Sequence, residues 1–186
     1  MTMEYKKNVP AKVNLLFQKR LVDAAFISSI KAKKYKYARV GIIAKKEVLS
    51  VLVIPNDEQK NDKESATSNI LASLLDLKGE VLIGDKALKY YLSGEPATDL
   101  AKLWNDKYKL PFVFALLSYH KHTKQIKQIE KVFSKTRVKI PQYILKNASK
   151  RTAISEKDIL NYLKKISYTL DAKAAKGLKK FYQLTA

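Results

Sequence analysis

The spacing of hydrophobic and polar positions divides the chain into alternating strands and helices, followed by helices alone. Continuous apolar or β-branched runs predict strands over residues 21–27, 40–44, 48–54, 80–84 and 110–117. Apolar residues at helical spacing predict helices over residues 10–19, 69–75, 86–92, 100–108, 121–134, 141–150, 155–166 and 171–183. The basic segment 31–39 is predicted to be a connector. This order indicates an α/β fold with a helical C-terminal part.

Residues that favour helix ends support several of these boundaries. Pro10 stands in the first turn of the first predicted helix, and Gly79 is predicted to end the helix over 69–75. Asp85 is predicted to cap the helix over 86–92. Ser155 and Asp158 have the spacing of a capping box, which predicts a helix start at that point.

The net charge of +20 is distributed unevenly along the chain. Residues 1–50 hold 12 Lys or Arg against 3 Asp or Glu, and residues 120–186 hold 17 against 4. Residues 51–119 hold 8 against 10. Two basic ends around a nearly neutral middle indicate that the ends form one body and the middle another.

The composition excludes several kinds of chemistry. The chain has no Cys, which excludes disulfides, thiolate metal sites and cysteine nucleophiles. His120 and His122 are the only imidazoles, so no metal site is predicted, and they are interpreted as a surface pair without a neighbouring carboxylate. No P-loop, dinucleotide fingerprint or other cofactor motif occurs. No secretory signal or apolar run of about 18 residues is found, so we expect a cytoplasmic protein without a membrane span.

Hydroxyl residues at predicted element ends are the best candidates for an anion-binding site. Ser65, Thr67 and Ser68 cluster at a predicted helix start, where free N–H groups and the helix dipole attract a carboxylate or phosphate. On local sequence alone, ordinary N-capping is the favoured explanation of these residues. Ser28 and Ser29 lie at the end of a predicted buried strand, the position at which open α/β sheets bind ligands. The alternative is a loop in which the two serines hydrogen-bond to their own backbone.

Two further polar residues remain open at this point. Ser50 interrupts the apolar run over 48–54, so it faces either a pocket or the solvated side of the sheet. Asp85 follows the short strand over 80–84, where it contacts a ligand or only caps the next helix.

Five segments, taken in order, resemble the chorismate dehydratase family of the futalosine route to menaquinone. They are Phe26–Ser29 (FISS), Val48–Val53 (VLSVLV), Glu64–Ser68 (ESATS), Val81–Leu88 (VLIGDKAL) and Leu110–Ala115 (LPFVFA). The resemblance extends from about residue 10 to residue 119 and is looser in the basic tail, which is similar to the short forms of the family.

The resemblance implies a fold like that of the type II periplasmic binding proteins, with two α/β lobes joined by crossing strands. Residues 1–50 and 115–186 would form one discontinuous lobe and residues 51–114 the other, which agrees with the distribution of charge. Family members usually begin with a strand and a Tyr-Leu-Asn-type turn that reaches into the pocket. No such segment precedes the match here, so either the sequence starts late or the first lobe lacks an edge strand and a pocket residue.

The resemblance also implies a cytoplasmic lyase that removes water from chorismate, without a cofactor, to give 3-(1-carboxyvinyloxy)benzoate. The residues that would bind this dianion are Ser28, Ser29, Ser50, Ala66, Thr67, Ser68, Asp85 and Phe112. No residue is assigned as the catalytic base, and a carboxylate of the substrate is the expected proton acceptor.

Three other functions remain open. A 1,4-dihydroxy-6-naphthoate synthase-like enzyme and a non-catalytic binder of a small carboxylate would share the fold. A nucleic-acid-binding protein would use the basic tail and the 11 Tyr as an electrostatic and stacking surface, but the segmental charge favours it less. The oligomeric state is not predicted.

Overall fold

The computed structural model describes residues 4–133, 135 and 139–186, and within them it contains two antiparallel sheets. The first sheet has the order β1 (Ala24–Ser28), β6 (Phe112–Tyr119), β2 (Lys36–Ala44) and β7 (Ile166–Thr169). The second has the order β4 (Glu80–Ile83), β3 (Val51–Ile54) and β5 (Thr98–Asp99). The mixed α/β class predicted from the sequence is confirmed.

Helices connect and cover the strands. In chain order they are α1 (Pro10–Gln18), α2 (Ser29–Ala32), α3 (Ala66–Leu74), α4 (Gly84–Leu92), α5 (Leu100–Tyr108), α6 (Thr123–Phe133), α7 (Gln142–Thr152), α8 (Glu156–Leu163) and α9 (Ala172–Leu184). The eight helices predicted from apolar spacing are all present, with shifted ends. Residue 134, the end of the helix predicted over 121–134, lies outside the described residues, as do residues 1–3. Among the described residues, no helix is long and apolar enough to cross a bilayer.

The direction of the strands brings several chain segments to one edge of each sheet. In the first sheet β1 and β2 both run antiparallel to β6, so the ends of β1 and β2 lie beside the start of β6. In the second sheet β4 and β5 both run antiparallel to β3, so Ser50, just before β3, lies at the same edge as Gly84, just after β4. The chain passes from the first sheet to the second between Ala44 and Val51 and returns between Asp99 and Phe112.

One hydrophobic cluster draws residues from both sheets. Trp104 of α5 is fully buried, with its ring 5.2 Å from that of Phe112 on β6 and 6.3 Å from that of Phe181 on α9. Val51 and Val53 of β3 belong to the same cluster. Burial of these side chains therefore holds the facing edges of the two sheets against each other.

The segment predicted as a connector over 31–39 is partly strand. β2 begins at Lys36, which pairs with Tyr119 of β6. Ala38 and Val40 are buried whereas Tyr37 and Arg39 are exposed, which is the alternation of a strand with one solvated face. The basic residues on the solvated face concealed this alternation.

The run over 48–54 becomes a strand only from Val51 onward. Leu49 has a φ of 63°, which no strand residue adopts. The N–H groups of Val48 and Leu49 donate to the carboxylate of Asp99 at 2.9 and 2.7 Å instead of to a neighbouring strand. The buried side chain of Asp99 therefore holds this segment out of the sheet, and the strand begins only at Val51.

The sequence predicted a purely helical C-terminal part, but the structure also contains a strand there. The predicted helix over 155–166 ends at Leu163, and β7 follows as an edge strand whose residue Ser167 pairs with Ile43 of β2. The predicted helix start is confirmed, because Ser155 is the N-cap and its Oγ accepts a bond from the N–H of Asp158 at 3.1 Å.

The prediction that Asp85 caps a helix is wrong. The helix α4 begins two residues earlier than predicted, at Gly84, with Ile83 in the capping position and no side-chain cap. Asp85 lies within the first turn, where its carboxylate pairs with Arg151 of α7 at 3.0 Å. Gly84, with a φ of 66°, permits a sharp turn, so the helix starts directly after the last residue of β4.

Candidate active site

A cluster of buried hydroxyls occupies the N-terminus of α3. Ser65 is the N-cap: its Oγ accepts from the N–H of Ser68 at 3.2 Å and donates to Ser68 Oγ at 2.7 Å. Thr67 and Ser68 are each 1% exposed. Capping thus accounts for Ser65, but it leaves the Thr67 hydroxyl to be explained by its contact with the first sheet.

That contact joins α3 to the end of β1. Ser29 Oγ and Thr67 Oγ1 lie 3.4 Å apart, and the N–H of Ile30 donates to Thr67 Oγ1 at 3.3 Å. Ser29 is fully buried. The structure therefore brings together Ser28, Ser29, Thr67 and Ser68, four of the residues predicted for substrate binding, across the two sheets.

Ser28 differs from its neighbours because its hydroxyl has no partner. Its Oγ is buried without a hydrogen bond among the described residues, while its N–H donates to the side-chain oxygen of Asn14 at 2.9 Å. A buried hydroxyl without a partner loses its hydration with no compensation in the ligand-free protein. This hydroxyl lies at the end of β1, next to the residues that contact α3.

Tyr182 of α9, which the sequence did not single out, supports the same region from the C-terminal part. Its hydroxyl donates to the carbonyl oxygen of Ser29 at 2.8 Å, and the ammonium of Lys33 lies 5.7 Å from its ring centroid. Burial raises the pKa of Tyr182 well above its ordinary value, so the phenol remains a donor. Only the tertiary contact, not local spacing, distinguishes Tyr182 from the other ten Tyr.

Ser50 forms a second polar group at the facing edge of the other sheet. Its Oγ donates to the hydroxyl of Tyr162 at 3.1 Å, and its carbonyl oxygen accepts from the N–H of Gly84 at 2.8 Å. Ser50 is 5% exposed, so it does not lie on the solvated side of the sheet. Tyr162, from α8, is the second residue that sequence reasoning missed.

Asp99 fixes the segment that carries Ser50. One carboxylate oxygen accepts from Val48 and Leu49, and the other accepts from the N–H of Lys102 at 2.9 Å in the first turn of α5. Burial raises the pKa of Asp99, although these three N–H groups oppose that shift. The carboxylate thus ties the first crossing between the sheets to the start of α5.

The remaining predicted residues lie apart from these hydroxyls or in the core. Ala66 is the first residue of α3 and is half-buried. Asp85 is exposed and paired with Arg151. Phe112 is 1% exposed, and its ring packs against Trp104 and Phe181. No contact joins Asp85 or Phe112 to the serines among the interactions of the described residues.

Only one of the two histidines lies on the surface as the sequence suggested: His122 is exposed, whereas His120 is partly buried. The ring of His120 stacks on Phe17 at 4.0 Å between centroids, and its Nε2 lies 2.8 Å from the carbonyl oxygen of Phe17. His122 Nε2 lies 3.5 Å from the carboxylate of Asp23. Across residues 4–133, 135 and 139–186, no group of three or more His, Asp or Glu has the arrangement of a metal site.

Comparison with known proteins places the chain in a family. A model of the family described as Menaquinone biosynthesis matches residues 72–186. A chorismate dehydratase from Campylobacter jejuni subsp. jejuni is 48% identical over 184 residues, which cover 96% of this chain and 82% of that protein. This chain belongs to the menaquinone biosynthesis family.

A solved structure shares the fold of this family member. The X-ray crystal structure of a protein from Archaeoglobus fulgidus superposes with a TM-score of 0.63 over 96% of this chain and 83% of that one. The two sequences are 14% identical, so this likeness concerns the fold alone.

Proposed function

We propose that this protein is a chorismate dehydratase, a lyase that removes water from chorismate to give 3-(1-carboxyvinyloxy)benzoate on the futalosine route to menaquinone. The observation that carries the proposal is the 48% identity to a chorismate dehydratase over nearly the whole chain. The buried hydroxyls at the facing edges of the two sheets support it, since hydroxyls and N–H groups suit a dianionic substrate.

The two sheets support a division into the lobes of a type II periplasmic-binding-protein-like fold. We propose one lobe from residues 1–50 and 115–186 and the other from residues 51–114. The chain crosses between the sheets twice, and the second boundary falls within β6. The cleft then lies where Ser29 meets Thr67.

The substrate would replace contacts that the free protein makes with itself. Ser29 and Thr67 are buried against each other, so the ends of β1 and α3 must separate before a carboxylate reaches them. The partnerless hydroxyl of Ser28 and the hydroxyl of Ser68 then donate to the same anion. Lobe opening and closure would also exclude water from the reaction.

The main contribution of the protein to the reaction is to orient the substrate. One ring C–H bond and one ring C–O bond break, a ring C=C bond forms, and the proton leaves with the hydroxide as water. The product ring is aromatic, which makes the elimination strongly favourable. A carboxylate of the substrate takes the proton, and the site holds that carboxylate and the leaving hydroxyl in the required geometry.

The proposal is tested by incubating the purified chain with chorismate and following the product by absorbance and mass spectrometry. We expect a product that is lighter than chorismate by the mass of one water molecule, and no requirement for an added cofactor. The Thr67→Val variant, which keeps the shape but removes the hydroxyl, should lower kcat/KM about tenfold or more, as expected for a lost bond to a charged group.

Two outcomes would overturn the proposal. Thermal stabilisation by chorismate without product would identify a binding protein instead of an enzyme. Absence of both stabilisation and product would remove chorismate as the ligand.

A further inference from the structure

The phenol of Tyr162 is a partly buried polar group that the proposed function leaves without a role. It comes from α8, in the part of the chain where sequence reasoning identified no site residue. Its oxygen accepts a hydrogen bond from Ser50 Oγ at 3.1 Å. Ser50 is a residue already expected to bind the substrate, so Tyr162 contacts one of the proposed site residues.

The proton of this phenol is not used within the described part of the chain. Because Ser50 is the donor in the bond between them, the O–H of Tyr162 is left to donate elsewhere. No acceptor for it occurs among the hydrogen bonds of residues 4–133, 135 and 139–186. Burial raises the pKa of Tyr162, so the proton is present at neutral pH.

The ring of Tyr162 is held in place by apolar packing. It lies against the cluster formed by Leu49, Leu88 and Ile154, and Ile159 of its own helix packs there as well. A donor whose ring is already fixed loses little conformational entropy when it binds a ligand.

The backbone to which Ser50 bonds has open space beside it. Its carbonyl oxygen accepts from the N–H of Gly84, the first residue of α4. No heavy atom lies within 4 Å of the position that a Cβ on Gly84 would occupy. The turn into α4 is therefore open beside the Ser50–Tyr162 pair.

We propose that Tyr162 is a substrate-binding residue whose phenol donates a hydrogen bond to a carboxylate of the bound anion while Ser50 holds the phenol oxygen. A phenol that accepts one hydrogen bond donates a stronger one, so Ser50 strengthens the contact with the anion. This assignment rests on the proposed function and adds a residue to the same site.

The test compares Tyr162→Phe with Tyr168→Phe in steady-state assays with chorismate. Tyr162→Phe keeps the packed ring and removes only the hydroxyl, so we expect KM to rise about tenfold or more while kcat changes less than about twofold. Tyr168, an exposed tyrosine on β7 whose ring contacts Phe133, is the matched control and should leave both constants unchanged. Tyr168→Phe should keep the melting temperature of the unmodified protein, whereas Tyr162→Phe should lower it by a few degrees, because it also removes the bond from Ser50.

A second comparison asks whether the hydroxyl acts together with Ser50. Ser50→Ala leaves the Tyr162 ring in place, and we expect it to raise KM as well. The double variant should raise KM by less than the product of the two single effects, because the second change removes an interaction that is already weakened.

The outcomes separate this inference from the proposed function. An unmodified protein that makes no product overturns the proposed function. If the unmodified protein is active, two results would overturn the role of Tyr162 only. One is an unchanged KM in Tyr162→Phe. The other is a rise in KM of the double variant equal to the product of the rises in Tyr162→Phe and Ser50→Ala.

Discussion

At the scale of single residues, two buried serine hydroxyls of the first sheet make a matched pair. Ser28 Oγ and Ser118 Oγ both lack a hydrogen-bond partner among the described residues. Ser28 ends β1 beside the α3 hydroxyls, whereas Ser118 pairs with Ala25 in the middle of the sheet. Removal of either hydroxyl breaks no hydrogen bond in the folded protein. Only a role in substrate binding can therefore make the Ser28 and Ser118 variants behave differently.

We expect Ser28→Ala to leave the free energy of unfolding unchanged or to raise it by up to about 1 kcal/mol, because an uncompensated buried hydroxyl is removed. The same change should raise KM for chorismate about fivefold or more. Urea unfolding and steady-state kinetics measure the two effects. Ser118→Ala should behave alike in unfolding and leave KM unaltered, and an equal rise in KM for both variants would contradict the assignment of Ser28.

Asp99 carries a second prediction at this scale, because one carboxylate serves three N–H groups. In Asp99→Asn the amide NH₂ faces at least one of these donors, so we expect a loss of about 1–3 kcal/mol in stability near pH 7. Urea unfolding measures it. Lys102→Ala, which keeps the backbone N–H and removes only an exposed side chain, is the control and should change stability by less than about 0.5 kcal/mol.

The same carboxylate makes stability depend on pH. Burial raises the pKa of Asp99 in the folded state above its ordinary value of 3.8. The folded protein therefore binds more protons than the unfolded chain in the window that begins near 3.8 and ends above the raised value. The contribution of Asp99 to stability is complete below this window and declines as the pH rises through it. The difference in stability between the unmodified protein and Asp99→Asn should decline likewise, and a difference that grows with pH would contradict the raised pKa.

At the scale of elements, α9 packs so closely on the first sheet that a helix residue has no space for a side chain. A Cβ on Gly177 would overlap the carbonyl oxygen of Pro111, just before β6. Gly177→Ala gains about 1 kcal/mol in helix propensity, but overlap with a backbone atom costs about 1–3 kcal/mol or more. We expect a lower melting temperature, with weaker substrate binding because α9 also carries Tyr182. Lys179→Ala, on the exposed face of α9, should change neither, and a more stable Gly177→Ala would show that α9 shifts without cost.

Element types followed from local patterns, but element boundaries often did not. Apolar spacing was sufficient for the helices because each buries one face of its own period. β7 was missed because Ile166–Thr169 is short and its partner β2 is more than 120 positions earlier in the chain. Strands acquire their stability from such partners, so a short edge strand has little signal of its own.

At the scale of the whole molecule, the charge of +20 has a kinetic consequence. Positive potential around the cleft would attract the dianionic substrate, and dissolved salt screens that attraction. We expect kcat/KM for chorismate to decline several-fold between about 0.01 M and about 0.15 M ionic strength, across which the Debye length falls from about 30 Å to about 8 Å. Steady-state assays in sodium chloride measure this, with sucrose as the uncharged control. A decline with sucrose as large as that with salt would point to viscosity or stability instead.

The sequence by itself determined the α/β class, most helices, the basic ends around a neutral middle, and the serines and threonine at the ends of β1 and α3. These properties follow from local periodicity, composition and helix-end chemistry. Only the tertiary structure decided that Ser29 meets Thr67 across two sheets, that Ser28 has no partner, and that Phe112 is packed in the core. It also brought Tyr162 and Tyr182 to Ser50 and Ser29. The physical reason is that hydrogen bonds between residues 38 to 153 positions apart depend on how helices and sheets pack, which no local pattern of side chains records.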